Sequence, residues 1–121
     1  MPDREAMITA IETHCRAESA GDKEAWVNIF AESIVIEDPV GSGNVHRGIA
    51  AVSGDFWDRA QQHWPKVQLT QAPIVSGNEA IAILKAEIGP DGARQSFAPI
   101  VAHFVFDDNG KVESLRAFFA Y

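Results

Sequence analysis

The sequence predicts an α+β domain in which three N-terminal helices pack against a curved, cone-shaped antiparallel sheet. In the first half of the chain, apolar residues recur at three- and four-residue spacing, which is typical of helices with one buried face. The second half contains apolar runs separated by turns rich in glycine, proline and asparagine, which is typical of consecutive strands. Helices followed by a meander favour helices on one face of the sheet, and the open end of such a cone is a natural pocket.

The first helix is predicted from about Asp3 to Ala20. Gly21 is expected to end it, because glycine readily adopts the left-handed conformation found at helix C-termini. Asp22 is expected to cap the second helix through its side chain. The apolar stripe of the first helix consists of Met7, Ala10, Ile11, His14 and Cys15.

The second helix carries Trp26, Ile29 and Phe30 on one side. A strand containing three β-branched residues, Ile34 to Ile36, follows it. The third helix is predicted from about Ile49 to Gln62. Its inward residues are Val52, Phe56 and Trp57.

Four further strands are predicted in the second half of the chain. They run from Lys66 to Val75, from about Glu79 to Ile88, from Phe97 to Phe106 and from Val112 to Ala120. The turns between them are marked by Gly77-Asn78, Pro90-Asp91-Gly92 and Asn109-Gly110. Pro99 is expected at an edge or a bulge, because proline cannot donate a hydrogen bond within a sheet.

Length and composition limit the classes of function. A chain of 121 residues fits one domain, residues 1–121. Its net charge of −7 argues against a nucleic-acid or anionic-membrane partner. We find no apolar run long enough to span a membrane and no signal-peptide core. The single cysteine, Cys15, has no internal disulfide partner, so we expect a cytoplasmic protein.

The most informative segment is the acidic pair Glu37-Asp38, which follows the β-branched strand and precedes Pro39. Side chains alternate between the two faces of a strand, so Asp38 shares a face with Ile34 and Ile36. If that face packs on the core, Asp38 points into an apolar space. Burial disfavours the charged form of a carboxyl and makes the carboxylate a stronger base. The segment therefore suggests a general base, although an aspartate before proline also commonly caps a turn.

The chain resembles the bacterial Δ5-3-ketosteroid isomerases of the nuclear-transport-factor-2-like and SnoaL-like superfamily. The most specific matching segment is Glu37-Asp38-Pro39-Val40-Gly41-Ser42, preceded by Phe30-Ala31 and Val35. Further matching segments cover nearly the whole chain. They are Ala20-Gly21-Asp22, Val67 to Gln71, Asn78-Glu79-Ala80, Ala98-Pro99-Ile100, His103-Phe104, Gly110-Lys111-Val112 and Arg116-Ala117.

The resemblance implies that Asp38 is the base that moves a proton between two carbons of a ketone. In that family a tyrosine and a protonated aspartic acid bind the oxygen of the intermediate. The aspartic acid stays protonated because its apolar surroundings raise its pKa. The tyrosine position is His14 here, and the aspartic acid position is Ala102, or Val101 in an alignment shifted by one. Neither alanine nor valine can donate a hydrogen bond.

His14 is the candidate substitute donor, because a neutral imidazole N–H can polarise a carbonyl. A histidine within the apolar stripe of a helix can equally be a core or interface residue. The residues expected to line a substrate pocket are Phe30, Phe56, Trp57, Ala102 and Phe119, although aromatic residues at these spacings are also typical of a core. His46 and His63 are expected at the surface, and His103 is expected to face away from the pocket.

The leading hypothesis is a cofactor-free isomerase that shifts a Δ5 double bond to Δ4 in a hydrophobic, steroid-like carbonyl compound, with Asp38 as base and His14 as electrophile. We expect no metal, because the four histidines show no paired ligand spacing. We expect a homodimer formed through the exposed face of the sheet. The alternatives are another enzyme on the same fold, such as a cyclase, dehydratase or epoxide hydrolase, and a non-catalytic protein that binds small hydrophobic ligands.

Overall fold

Three helices cover one face of a seven-stranded sheet in the computed structural model, which describes residues 2–119. Helix α1 spans Arg4–Ala20 and α2 spans Lys23–Val27. Helix α3 consists of three consecutive segments, Ile49–Ala51, Val52–Phe56 and Trp57–Gln61. The first and third helices begin and end close to their predicted positions. The second helix is shorter than expected: Ile29 and Phe30 lie beyond its end, because the backbone there already pairs with Val112 and Phe30 begins the first strand, Phe30–Glu37. None of the helices within residues 2–119 has both the length and the apolar character needed to cross a bilayer.

The break between α1 and α2 has the predicted local chemistry. Gly21 adopts the left-handed conformation with φ 71° and ends α1. The backbone N–H of Asp22 then donates to the Ala17 carbonyl at 2.9 Å. The Asp22 side chain accepts from the N–H of Ala25 at 3.3 Å and caps α2. These bonds set the direction in which α2 leaves α1.

The middle of α3 is a π-helical turn over Val52–Phe56, which the sequence pattern does not predict. The N–H of Trp57 donates to the Val52 carbonyl, which is the i to i+5 bond of a π turn. The wider turn brings Val52, Phe56 and Trp57 to the same buried side of the helix. The predicted inward residues of the third helix are therefore confirmed as buried.

The seven strands form a sheet in the order β2-β1-β7-β6-β5-β3, and β4 also pairs with β5. The strands are β1 Phe30–Glu37, β2 Val45–Arg47, β3 Lys66–Leu69, β4 Ile74–Ser76, β5 Glu79–Ile88, β6 Gln95–Phe106 and β7 Val112–Phe119. The predicted strand from Lys66 to Val75 is divided into β3 and β4, and the short strand β2 was not predicted. Ala120, the predicted end of the last strand, lies outside the described residues.

The sheet is mixed, so the prediction of an antiparallel sheet is wrong at one pair. Strands β1 and β7 run parallel, with Ile36 opposite Leu115, whereas the other neighbours pair antiparallel. A parallel pair requires a long connection, and here residues 38–111 provide it. The consequence for function is geometric: the C-terminal ends of β1 and β7 lie at the same edge of the sheet.

The helices and the inner face of the sheet bury one continuous hydrophobic core. Trp26 of α2 is fully buried near its centre. Its ring lies 4.6 Å from the Phe30 ring, 5.9 Å from the Phe56 ring and 4.8 Å from the Trp57 ring, measured between centroids. The sheet contributes the alternate residues Ile34, Ile36, Ala80, Ala82, Leu84, Ile100, Ala102, Phe104, Leu115 and Ala117.

Ile34 is fully buried, whereas Ile74 on the short strand β4 is exposed, so the same substitution at the two positions separates burial from strand propensity. We expect Ile34→Ala to lower the free energy of unfolding by about 2–5 kcal/mol, since it leaves a cavity in the core. The control Ile74→Ala should cost about 0.5 kcal/mol or less. Urea unfolding followed by tryptophan fluorescence measures both, and equal losses would contradict the assigned core.

Candidate functional site

A cavity of about 360 Å³ lies between the helices and the inner face of the sheet. Its wall is mostly apolar and contains a small group of polar side chains at one side. The polar lining residues are His14, Glu18, Asp38 and His63. The apolar lining residues are Phe56, Ala60, Pro65, Val67, Leu84, Ala86, Ile88, Phe97, Ile100, Ala102, Leu115, Ala117 and Phe119.

Asp38 lies directly after β1, on the same side as the buried Ile34 and Ile36, as the alternation of the strand predicts. Its backbone is held from two directions. The Asp38 N–H donates to the Asn44 carbonyl at 3.1 Å, and the Asn44 side-chain amide donates to the Asp38 carbonyl at 2.7 Å. Burial raises the pKa of the Asp38 carboxyl to about 6.

The next segment of chain is attached to β7. The N–H of Val40 donates to the Ala117 carbonyl at 2.8 Å, so the turn after Asp38 follows the end of β7. Glu37 points to the other face, where it accepts from Arg116 Nε at 3.0 Å and from the Gly41 N–H at 3.1 Å. The Gly41 hydrogen bond and the Arg116 side chain lower the pKa of Glu37. Glu37 is thus a paired surface carboxylate that holds the turn.

His14 is buried on α1 and lines the cavity. Its Nδ1 accepts a hydrogen bond from the indole N–H of Trp26 at 3.0 Å. Because the indole nitrogen is only a donor, Nδ1 must carry a lone pair, and the proton of the neutral ring lies on Nε2. Burial lowers the pKa of His14 to about 4, so the ring is neutral at physiological pH. His14 therefore presents an uncharged Nε2–H donor.

Glu18 is the site residue that the sequence analysis missed. It lies one turn after His14 on α1, and its Oε2 is 3.4 Å from His14 Nε2. Burial, and then the charge of Asp38, raise the pKa of Glu18 to about 8. The signal that points to it is its i+4 spacing from His14, which places both side chains on one face of the helix.

Glu18 and Asp38 occupy the same cavity in different protonation states. At pH 7 the pKa of about 6 leaves Asp38 mostly ionised, and the pKa of about 8 leaves Glu18 mostly neutral. Two carboxyls whose environments separate their pKa values in this way form an acid and a base within one site. The arrangement can accept a proton at Asp38 while it donates hydrogen bonds from Glu18 and His14.

A second cavity, of about 250 Å³, meets the first at the two carboxyls. It is more polar than the apolar cavity. Its lining residues are Glu18, Asp38, Asn44, His46, Phe56, Arg59, Ala60 and His63. One expectation is wrong here: His46 is buried and contacts Asn44 Oδ1 at 3.0 Å through Nε2. His63 is exposed, as expected, and it also lines both cavities. Asp38 is therefore approached from an apolar side and from a polar side.

The structure distributes the expected lining residues between the cavity and the core. Phe56, Ala102 and Phe119 are among the residues that line the apolar cavity. Phe30 and Trp57 are absent from its described lining, and both pack against the Trp26 ring. The periodicity of apolar residues along a helix or a strand identifies buried side chains. It cannot distinguish side chains that face a cavity from those that fill the core.

The remaining candidate residues lie outside the reactive group, which consists of His14, Glu18 and Asp38. His103 faces the opposite side of the sheet, as predicted, and contacts Glu79 Oε1 at 2.7 Å through Nε2. Cys15 is buried, and burial raises the pKa of its thiol to about 12, so it is not a nucleophile. Within residues 2–119, no three histidine, cysteine, aspartate or glutamate side chains are grouped as metal ligands.

Comparison with known proteins identifies a family and several similar folds. A model of the SnoaL-like domain matches residues 11–115. The structure of Δ5-3-ketosteroid isomerase from Mycobacterium sp. is 27% identical, with a TM-score of 0.80 over 95% of this chain and 93% of that chain. A second similar structure is that of SalBIII, an epoxide hydrolase/cyclase-like enzyme with a role in pyran ring formation in the polyether salinomycin. It is 25% identical, with a TM-score of 0.85 over 99% of this chain and 95% of that chain.

A third similar structure is RV0760c from Mycobacterium tuberculosis in complex with estradiol-17beta-hemisuccinate. It is 22% identical, with a TM-score of 0.83 over 95% of this chain and 94% of that chain. The similar structures thus include proteins with different activities, and a shared fold does not select among them. An activity for this chain therefore has to be argued from the side chains that line its cavity.

The burial of Glu18 has a measurable effect on stability. Because the folded protein holds a proton up to a pKa of about 8 that the unfolded chain loses at its ordinary value of 4.5, stability falls as the pH rises between these values. Glu18→Gln cannot ionise. We therefore expect its free energy of unfolding, relative to wild type, to increase by at least about 1 kcal/mol from about pH 5 to about pH 9.

The matched control is Glu12→Gln, which makes the same chemical change at an exposed position of α1. Urea unfolding at several pH values measures both variants against wild type. The Glu12 variant should not reproduce the gain in stability expected of Glu18→Gln at high pH. A pH-independent difference for Glu18→Gln as well would contradict the buried, protonated state of Glu18.

Proposed function

The chain belongs to the SnoaL-like domain family, and we propose that it is a cofactor-free proton-transfer enzyme that acts on a hydrophobic ketone. The leading reaction is the isomerisation of a Δ5-3-ketosteroid to its Δ4 isomer. The observation that supports it is the position of Asp38, a carboxylate with a raised pKa of about 6 in the wall of a mostly apolar cavity. The ketosteroid isomerase of similar fold is consistent with this reaction.

In the first step, the Asp38 carboxylate takes a proton from the carbon between the ketone and the double bond. The electron pair of the broken C–H bond moves toward the carbonyl oxygen, which becomes the oxygen of a dienolate. In the second step, the Asp38 carboxylic acid returns the proton two carbons further along, and the conjugated ketone forms. No electrons are gained or lost, so the reaction requires no redox cofactor.

Asp38 suits this role for an electrostatic reason. A carboxylate in water is a weak base, and the apolar wall around Asp38 makes it stronger by disfavouring its charge. A pKa of about 6 still leaves most of the carboxylate ionised at pH 7. General bases work best with a pKa near the operating pH.

The dienolate oxygen requires hydrogen-bond donors, and His14 supplies one. Its Nε2–H is the donor because Trp26 occupies Nδ1. Burial lowers the pKa of the His14 imidazolium to about 4, so the ring is neutral at pH 7, and its Nε2–H donates a hydrogen bond without transferring its proton. Removal of one such donor typically costs about 10²–10³ in rate, so His14 is central to the proposal.

The substrate class follows from the cavity. A volume of about 360 Å³ lies within the size range of small-molecule sites, and the wall opposite the polar group is apolar. Phe56, Ala102 and Phe119 are proposed to contact the substrate. Two structures of similar fold are consistent with a flat hydrophobic ligand: the complex with the estradiol derivative, and a computationally designed 17-OHP binder.

We expect purified protein to convert a Δ5-3-ketosteroid into its conjugated isomer, and Asp38→Asn to lose at least about 10³ of kcat/KM because the base is removed. Ultraviolet absorbance of the conjugated enone follows the reaction. The matched control is Glu37→Gln, which removes the neighbouring carboxylate on the opposite face and should retain most of the activity.

No rate above buffer for wild type, or an unchanged rate for Asp38→Asn, would reject the isomerase. Steroid binding that is unaffected by Asp38→Asn, together with the absence of turnover, would instead indicate a non-catalytic binding protein.

A second candidate function is the addition of water, or of a hydroxyl group of the substrate, to an epoxide. The polar cavity favours it, because Asp38 borders this cavity together with Asn44, His46 and Arg59, which can hold a water molecule. Asp38 would take a proton from the attacking oxygen, and Glu18 would give its proton to the epoxide oxygen as the C–O bond breaks. SalBIII, at 25% identity, is described as epoxide hydrolase/cyclase-like.

Incubation with a hydrophobic epoxide tests the second candidate, with the diol product measured by chromatography. We expect Asp38→Asn and Glu18→Gln each to reduce diol formation by at least about 10²-fold, because one removes the base and the other the acid. Glu12→Gln is the control for Glu18→Gln. Absence of diol with wild type, in a preparation that isomerises the ketosteroid, would reject this candidate.

We further propose that the protein is a homodimer formed through the outer face of the sheet. This face carries Ile83, Val101 and Val105, which are partly buried, and Phe118, which is exposed. Apolar side chains on the uncovered face of a sheet favour contact with a second sheet. The reactive group lies on the opposite face, so both sites of a dimer would remain open.

A further inference from the structure

Resting on the proposed function, we infer that Glu18 is a second hydrogen-bond donor of the site, and that its carboxylic acid O–H and the Nε2–H of His14 together bind the oxygen of a carbonyl ligand. The two residues would then take the place of the tyrosine and the protonated aspartic acid of the ketosteroid isomerases. Neither histidine nor glutamate is one of the two donors that the resemblance implies for those isomerases.

The polar atoms of the two side chains lie close together at the cavity wall. His14 Nε2 and Glu18 Oε2 are 3.4 Å apart, and both side chains line the cavity that Asp38 also lines. An oxygen atom can lie within roughly 2.7–3.1 Å of both atoms at once, which is the distance required of donors to a developing oxyanion. Their i,i+4 spacing on α1 keeps the two atoms on the same side of the helix.

The position of each donor is fixed by a neighbour. Trp26 holds the His14 ring at Nδ1 from within the core, so the Nε2–H direction is set before a ligand binds. Glu18 is almost fully buried, with 13% of its side chain exposed, and one of its oxygens faces Nε2. Donors that are already oriented do not have to reorganise during the reaction, which is the main source of their effect on rate.

Glu18 can donate only while it is protonated, and its surroundings favour that state. Burial disfavours a charge on Glu18, and the ionised Asp38 disfavours a second negative charge in the same cavity. The resulting pKa of about 8 keeps the carboxylic acid O–H at neutral pH. The charge of the base and the neutrality of the donor are therefore linked.

The charged and titratable groups that surround Glu18 come from four elements. They are His14 and Cys15 on α1, Asp38 after β1, His46 on β2, Arg59 on α3 and His63 after α3. Among the described lining residues, those from strands β3, β5, β6 and β7 are all apolar. Arg59 is exposed and pairs with Asp55 at 3.2 Å, which limits its ability to stabilise an ionised Glu18.

The experiment measures binding of testosterone, a Δ4-3-ketosteroid whose carbonyl does not titrate. We expect wild type to bind it about 5–10-fold more weakly at about pH 9 than at about pH 7, because the ionised Glu18 no longer donates to the carbonyl oxygen. Infrared difference spectroscopy should show the bound C=O stretch at lower frequency at pH 7 than at pH 9. A purely structural Glu18 would not move this band.

Glu18→Gln keeps an N–H donor but cannot ionise, so it should bind testosterone without the loss of affinity at high pH. Glu18→Leu has no donor and should bind about 5–10-fold more weakly than wild type at pH 7, also without a pH step. Glu12→Gln should retain the wild-type pH dependence. If Glu18→Gln retains the wild-type pH step, the inference is wrong.

The binding measurement separates this inference from the proposed function, since it does not require turnover. A pH step that depends on Glu18, in a protein without isomerase activity, would reject the proposed reaction and support the donor pair. Isomerase activity that depends on Asp38, with a pH step unaffected by Glu18→Gln, would reject the donor pair alone. Absence of testosterone binding by wild type at pH 7 would overturn both.

Discussion

The hydrogen bond from the Trp26 indole to His14 Nδ1, at 3.0 Å in the core, links the folding of this protein to its candidate chemistry. The same indole ring packs on Phe30, Phe56 and Trp57, so the centre of the core holds the donor in place. An unpaired indole N–H or imidazole nitrogen would be costly to bury, and each satisfies the other. Because Nδ1 is occupied, the remaining N–H points toward the cavity.

A second constraint is the burial of two carboxyls in a largely apolar space. A site of this kind reduces stability, because each buried group would be better solvated in the unfolded chain. The chain accommodates the pair by leaving one carboxyl, Glu18, protonated, while Asp38 carries the charge. Strongly shifted pKa values in a cavity are more typical of functional sites than of structural ones. Stability that is lost in this way is a common cost of a reactive site.

The fold alone leaves the reaction open, since similar structures include an isomerase and an epoxide hydrolase/cyclase-like enzyme. What distinguishes this chain is the content of the cavity. By the resemblance to the isomerases, Ala102 or Val101 falls at the position of their protonated aspartic acid, and we propose that His14 and Glu18 of α1 donate instead. A donor lost from a strand can be replaced from a helix, provided that the replacement reaches the same ligand oxygen. The chemistry of a site then persists while its residues change.

Local patterns in the sequence determined the helices, most of the strands, the break at Gly21-Asp22 and the inward direction of Asp38, because periodicity, capping and strand alternation act between residues close in the chain. Only the tertiary structure decided the parallel pairing of β1 with β7, which joins segments separated by residues 38–111. It also decided that Phe56 lines the cavity while Phe30 and Trp57 fill the core around Trp26. The role of Glu18 was decided in the same way, because its proton depends on the distant Asp38 and on burial, and neither is visible in the spacing of residues along α1.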